Sequence, residues 1–308
     1  MLVLGIESAT PAASAALADE QGILGEILLN VGLTHSEQLL PMIDSLLRLC
    51  RRELREITAV AVSAGPGSFT GLRIGMATAK ALAQGLSPAS LAERGKRVEV
   101  IAVPTLEALA WQAADRPEPI APMLFARREQ IYAGLYRWKF SEARAPRQGG
   151  RADAPGKPDI PGAAGGESPG TALAGRTRAK KERLPAGAAD PGAVLECLNA
   201  PQALRPELWA ARLVGLGQPV LLLGDGAAMY TDLWRRELGG AAILPPPASG
   251  LCRGAFVALA AMSAREAMPS HWTSGEAAGA APGQAPGTEP DAGLAAFYRT
   301  APIYLRGL

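Results

Sequence analysis

The chain has 308 residues, and its 31 Lys and Arg set against 29 Asp and Glu leave a net charge of +2. That length fits about two domains, and near-neutrality weighs against the strongly basic face of a nucleic-acid binder. Hydrophobic residues make up 48%, much of it alanine, and aromatics 5%, so the cores are expected to be aliphatic and Ala-rich. Cys50, Cys197 and Cys252 are far apart, with no CxxC among them, so neither a zinc knuckle nor a disulfide framework is supported, and scattered thiols fit a reducing cytoplasm. The first residues carry no basic leader, and no apolar run reaches the roughly 18 residues a membrane span needs, so neither a signal peptide nor a membrane segment is expected.

In chain order, Leu2–Ser8, Ala13–Ala18 and Ile23–Asn30 read as strands, with Asp19-Glu20-Gln21-Gly22 as a hairpin turn. Thr34 or Ser36 caps a helix that has Glu37 in its first turn and runs to about Arg52. Thr58–Ala64 is an apolar strand. A glycine-rich loop, a helix from about Thr70 to Leu86 and a strand at Val98–Val103 complete a βββαβαβ unit, a mixed sheet with helices packed on it. A second unit begins at Pro104, with a helix at Thr105–Ala113 and strands at Met123–Phe125 and Ile131–Tyr136. Residues 141–192 are rich in Gly, Pro, Ala and Arg and poor in bulky apolar side chains. They cannot bury enough surface to offset their ordering entropy and read as a disordered insertion. The pattern resumes with a strand at Val220–Leu223, the Gly224-Asp225-Gly226 turn, and helices near Ala228–Leu238 and Gly254–Glu266. Residues 273–293 form a second Gly/Ala/Pro-rich stretch, and the chain closes on Pro302-Ile303-Tyr304-Leu305-Arg306. The organisation expected is a first lobe over 1–103, a second over 104–268, a linker over 269–296 and a tail over 297–308.

The most specific stretch is Ser63-Ala64-Gly65-Pro66-Gly67-Ser68-Phe69-Thr70-Gly71-Leu72-Arg73-Ile74-Gly75, joining a strand to a helix. Neither GxxxxGK[ST] nor GxGxxG is present. Two readings stand: Gly65, Gly67 and Gly71 let backbone N–H groups approach a phosphate, or the loop is a tight turn capped by Ser68 or Thr70. The opening Leu4-Gly5-Ile6-Glu7-Ser8-Ala9-Thr10 resembles the phosphate hairpin of actin-like proteins, which implies for Glu7 a place near a metal-bound nucleotide; the residue alone equally suits a strand-end carboxylate satisfied by turn N–H groups. His35 and His271 are the two histidines. They are too far apart for the helical i, i+4 pair that holds a metal, and His35 reads as a capping or surface residue. Arg127, Arg128 and the run Arg176–Arg183 offer contacts to RNA phosphates, but no aromatics interleave with them, and solvated or packing roles suit them better.

Taken together, Gly5-Ile6-Glu7-Ser8, Thr34-His35-Ser36-Glu37-Gln38-Leu39-Leu40-Pro41 and Gly65-Pro66-Gly67-Ser68-Phe69-Thr70-Gly71-Leu72-Arg73 resemble the TsaB family. So do Thr105-Leu106-Glu107-Ala108-Leu109, Ala126-Arg127-Arg128 with Tyr132, and Gly224-Asp225-Gly226-Ala227. The resemblance covers about 1–138, 218–266 and the last few residues. It departs at Phe125, where the family often has Asp, and at the long 141–192 insertion. It implies an actin-like two-lobed α/β fold with RNase H-like mixed sheets and a reduced second lobe. It also implies a cytoplasmic, non-catalytic subunit that pairs with the catalytic TsaD and the ATPase TsaE for N6-threonylcarbamoylation of the tRNA adenosine 3′ of the anticodon. On that reading no residue here is catalytic, no cofactor or metal is required by this subunit, ATP or ADP belongs to the partners, and tRNA is reached through the complex. The alternatives are a nucleotide-binding actin-like phosphotransferase using Glu7 and the 65–71 loop, and a metallopeptidase of the glycoprotease type.

The helix after Thr34 has more apolar surface than one face requires, and Gly75, Ala79 and Ala83 make a row of small residues on the next. With the resemblance pointing to the same two helices, Met42, Leu46, Leu49, Gly75, Ala79 and Leu82 are expected at an interface with TsaD or a second copy. Burial of both faces under the second lobe is the competing expectation.

Overall fold

A computed structural model describes residues 1–32, 34–114, 116–127, 129–140, 193–246 and 250–266. The expectations for 141–192, for 269–296 and 297–308, and for Arg128, His271 and Arg176–Arg183, lie outside the described residues.

β1 (Leu2–Glu7), β2 (Ala13–Asp19) and β3 (Gly22–Leu29) form an antiparallel meander. β4 (Ala59–Ser63) and β5 (Glu99–Val103) add in parallel on the other side of β1, giving the order β3-β2-β1-β4-β5. Between them run α1 (His35–Cys50) and α2 (Phe69–Arg94). After α3 (Thr105–Trp111), the second lobe repeats the plan. β6 (Ile120–Phe125), β7 (Ile131–Lys139) and β8 (Val194–Leu204) are antiparallel. β9 (Val220–Leu223) and β10 (Ala242–Ile243) then add in parallel, giving the order β10-β9-β6-β7-β8. Its helices are α4 (Pro206–Val214), α5 (Asp225–Met229) and α6 (Thr231–Leu238). Two copies of one mixed-sheet topology make this an actin-like two-lobed α/β fold. The second lobe is reduced in its last strands, of 4 and 2 residues.

All six residues of β1 are buried, as a strand covered on both faces must be. α1 starts where Glu37 reaches back to the Thr34 backbone N–H at 3.3 Å, and ends at Arg51, whose left-handed conformation (φ 52°) lets its N–H cap the last turn. α2 runs eight residues beyond the expected Leu86, from 86 to 94, before Gly95 (φ 67°) ends it. Ser87-Pro88 reads as a break because proline supplies no N–H to the carbonyl of Gln84. The helix continues because its second half is tied down: Ser87 Oγ donates to the Ala83 carbonyl at 2.6 Å, and Ser90 Oγ to that of Lys96 at 2.8 Å.

The final described helix, α7 (Gly254–Glu266), corrects the lobe boundary. Its sequence position puts it in the second lobe, yet it packs across β1, β2 and β4 of the first sheet and against α3. Val3, Ala18, Ala59 and Ala61 share one core with Val257, Ala258 and Ala261. The interface expectation needs a larger correction. Met42, Leu46 and Ala79 belong to the first lobe's core, exposed by at most 3%, and Leu82 packs on its border. Gly75 is buried against the Ser8 side chain. A five-stranded sheet is wide enough to hold both helices side by side, so the apolar surplus of α1 is consumed by β2 and β3. Of the six residues, Leu49 alone is fully exposed, at 77%.

Candidate functional site

The lobes meet at a cleft of about 900 Å³. The first lobe lines it with Thr10 and Pro11 from the turn after β1, and with Gly67, Ser68, Phe69 and Thr70 at the start of α2. Phe125, Arg127, Gln130 and Tyr132, around the β6–β7 turn, line it from the second lobe, together with Asp225.

The glycine-rich loop reaches this cleft as a packed turn rather than as an open cradle. Ser68 N–H donates to the Ala9 carbonyl at 2.6 Å, and Ser68 Oγ accepts from Gly71 N–H at 3.2 Å, which caps α2. Gly65 N–H donates to Thr105 Oγ1 at 3.1 Å. A Cβ at Gly67 would run into the carbonyl oxygen of Ala9, and one at Gly71 into that of Ser8. These glycines let two loops touch backbone to backbone, and the N–H groups of Gly65 and Gly71 are already used inside the protein. Of the two readings of this loop, the capped turn describes it. Gly65 and Gly71 are buried, and Gly67 is the one of the three that borders the cleft.

Glu7 is enclosed completely. Its Oε1 accepts from Ala9 N–H at 2.6 Å, and its Oε2 has no hydrogen-bond partner among the described residues. Burial pushes its pKa up to about 7, against the pull of the Ala9 amide and the Ser63 hydroxyl. Cys252, fully buried just before α7, has its thiol pushed well above the usual range, first by burial and then by the neighbouring carboxyls of Glu7 and Asp225. Glu7 therefore lies beneath the cleft and does not line it.

Asp225 does line it. Its Oδ1 accepts from Phe125 N–H at 2.7 Å and so ties the start of α5 to the end of β6. Burial raises its pKa, while the amides of Phe125 and Gly226 pull it down. The Gly224-Asp225-Gly226 segment is a close junction, since a Cβ at Gly224 would meet the Met123 carbonyl oxygen. His35 is half-buried, with Nε2 2.8 Å from the Thr10 carbonyl, and anchors the turn that carries Thr10 and Pro11. Sequence reasoning missed the aromatic lining. Phe69 (51% exposed, with the Arg73 guanidinium 4.9 Å over its ring) and Phe125 (42%) border the cleft from opposite lobes. The departure at Phe125 was the available signal. Two rings, Arg127, several hydroxyls and the start of a long helix suit the cleft to holding an anionic or planar group. Arg127 is exposed there.

Comparison with known proteins follows the motifs. A family model described as TsaD, tRNA N6-adenosine threonylcarbamoyltransferase, matches residues 18–148, under half of the chain. The tRNA threonylcarbamoyladenosine biosynthesis protein TsaB of Bacillus subtilis is 33% identical over 139 residues, 45% of this chain and 56% of that protein. TsaB of Escherichia coli is 39% identical over 85 residues, 28% of this chain and 36% of its own length. The chain thus spans about half the length, or less, of these curated relatives. Among solved structures, YeaZ from Pseudomonas aeruginosa aligns over 86% of this chain and 92% of its own, with TM-score 0.54 and 20% identity, which bears on the fold. The resemblance to TsaB that the motifs carry is found again in these relatives.

Proposed function

We propose that this protein is a TsaB-type subunit in the synthesis of threonylcarbamoyladenosine on tRNA. It acts as a non-catalytic scaffold, in the cytoplasm, paired with a TsaD-like catalytic subunit and served by a TsaE-like ATPase. The observation that carries this reading is the similarity to proteins named TsaB in several bacteria, at 31–39% identity. The site agrees with it. The carboxyl singled out for nucleotide chemistry is sealed under the cleft, and two of the three loop glycines spend their N–H groups within the fold. This subunit then needs no cofactor of its own, and tRNA is engaged through the partner.

The pairing surface must use what the two helices still expose. Ala77, Ala81, Gly85 and Ala89 form an outward row at i, i+4 spacing on α2, and Leu40 and Leu49 are exposed on α1. A row of small side chains lets another helix approach closely. The full chain, mixed with the TsaD-like subunit of its own organism, is expected to co-elute with it. It should also be required for threonylcarbamoyl transfer to tRNA when the TsaE-like ATPase and the adenylate are supplied. Transfer at the same rate without this protein defeats the proposal. The phosphotransferase alternative draws on the cleft itself, and calorimetric titration with ATP and magnesium separates the two, since the scaffold reading expects no heat of binding from this chain alone.

A further inference from the structure

The second half of α2 and the start of β5 border a second groove, of about 680 Å³, that shares no lining residue with the cleft. Its apolar floor includes Ala83, Leu91, Val98 and Val100, and Lys80 and Arg97 stand at it without any lining carboxylate. Pro88 lies along it and leaves the Gln84 carbonyl without its helical donor. β5 is the last strand of its sheet, with no further described strand beside it. The parallel ladder runs from Glu99 N–H to the Thr58 carbonyl and from Ala64 N–H to the Val103 carbonyl. Glu99, Ile101 and Val103 therefore turn their backbone groups to β4, while Val100 and Ala102 turn theirs outward.

We propose that this groove and the β5 edge form a docking site for an extended segment of a partner protein carrying carboxylates beside apolar side chains. The segment adds as a sixth strand beside β5. Strand addition draws its affinity from main-chain hydrogen bonds and its specificity from alternate side chains. Here the outward groups of Val100 and Ala102 supply the first, and the apolar floor with Lys80 and Arg97 the second. Charge weighs against two other occupants. Residues 297–308 of this chain carry Arg299 and Arg306 and no carboxylate side chain, which does not complement two cations. A second copy pairing β5 to β5 would set Lys80 and Arg97 against themselves. The inference does not depend on the function proposed above.

A displayed heptapeptide library, panned on the full chain, tests it. Recovered sequences should combine Asp or Glu with Val, Ile or Leu. A fluorescein-labelled recovered peptide, read by polarisation, should bind about tenfold or more weakly to the Lys80→Glu/Arg97→Glu variant. The Lys80→Gln/Arg97→Gln variant should weaken it less, and both positions are exposed, so circular dichroism should show an unchanged fold. Hydrogen exchange should slow at the Val100 and Ala102 amides when the peptide is added. The proposal is overturned by no enrichment above background, recovery of basic sequences, affinity indifferent to both variants, or protection located away from β5. Residues 297–308 being protected in the free protein and released by the double charge reversal would assign the groove to this chain's own segment, which also overturns it.

Discussion

Glu7 sits at the end of β1 with one oxygen bonded and the other without a hydrogen-bond partner among the described residues, under full burial. Its pKa near 7 stands above the ordinary carboxylate value of 4.5, so between those values the folded state holds a proton that the unfolded chain releases. The stability this confers is fully present below about pH 4.5 and is lost as pH rises through 7. Glu7→Gln keeps the acceptor for Ala9 and removes the titration. Its urea midpoint should match the parent near pH 4.5 and exceed it at pH 8, by up to about 3 kcal/mol of unfolding free energy. An unchanged difference between the two pH values would show that Glu7 is ionised in the fold at both. Cys252 makes a second residue-level expectation. Buried, with its thiol pushed up, it should resist iodoacetamide until the protein unfolds, while exposed Cys197 reacts first, as mass spectrometry of timed samples would read. The sequence singles out Glu7 through its place after an apolar strand. It gives no sign that Cys252 closes over it, because nothing local links residues so distant along the chain.

Among the elements, α7 illustrates what periodicity carries and what it does not. The stretch Gly254–Glu266 is apolar nearly all round, which marks a buried helix with the right limits but does not say which sheet covers it. Three-dimensional partners decide that. Glu26 on β3 accepts from the Ser14 hydroxyl at 2.8 Å and from Ala255 N–H at 3.2 Å, and it pairs with the Arg253 guanidinium. Gly254 N–H donates to Ser14 Oγ at 2.9 Å. Glu26→Ala strips the helix N-terminus of its acceptor and leaves Arg253 unpaired, which should cost roughly 2–4 kcal/mol by denaturant melting. Gly5→Ala should be at least as harmful, because its Cβ would meet the Gly254 carbonyl oxygen. If Glu26→Ala melts like the parent, α7 is held by apolar contact alone. The elements missed outright have local explanations. β8 alternates poorly because it is an edge strand, half-exposed along its length. α4 begins at Pro206, a helix-start signal, but Gly215 and Gly217 leave it only nine residues long, with little periodicity to follow.

For the whole molecule, the alternation of strands and helices made the strands and α1 of the first lobe legible to within a residue or two, though not the end of α2 or the place of α7, and its mixed sheet follows from the βββαβαβ order. The cleft was less legible. It is assembled from four separate turns, and its two exposed phenylalanines belong to no periodic pattern. The burial of Met42, Leu46 and Ala79 was not legible for a reason of scale: an apolar arc broader than one face requires looks like an interface until the width of the sheet beneath it is known. The two readings of α2 now predict opposite outcomes. Ala79 is fully buried in the lobe core, so Ala79→Arg places an unpaired charge among Leu, Ile and Val side chains and should unfold the lobe, at a cost of about 4 kcal/mol or more. Ala81 is exposed on the outward row, beside Gly85, where an added Cβ would meet nothing within 4 Å. Ala81→Arg and Gly85→Arg should therefore leave the circular dichroism spectrum of the isolated protein unchanged while abolishing co-elution with the TsaD-like subunit on size exclusion. Co-elution retained by both surface variants would move the interface off this row of α2. A folded, pairing Ala79→Arg protein would contradict the packing of α2 on its sheet.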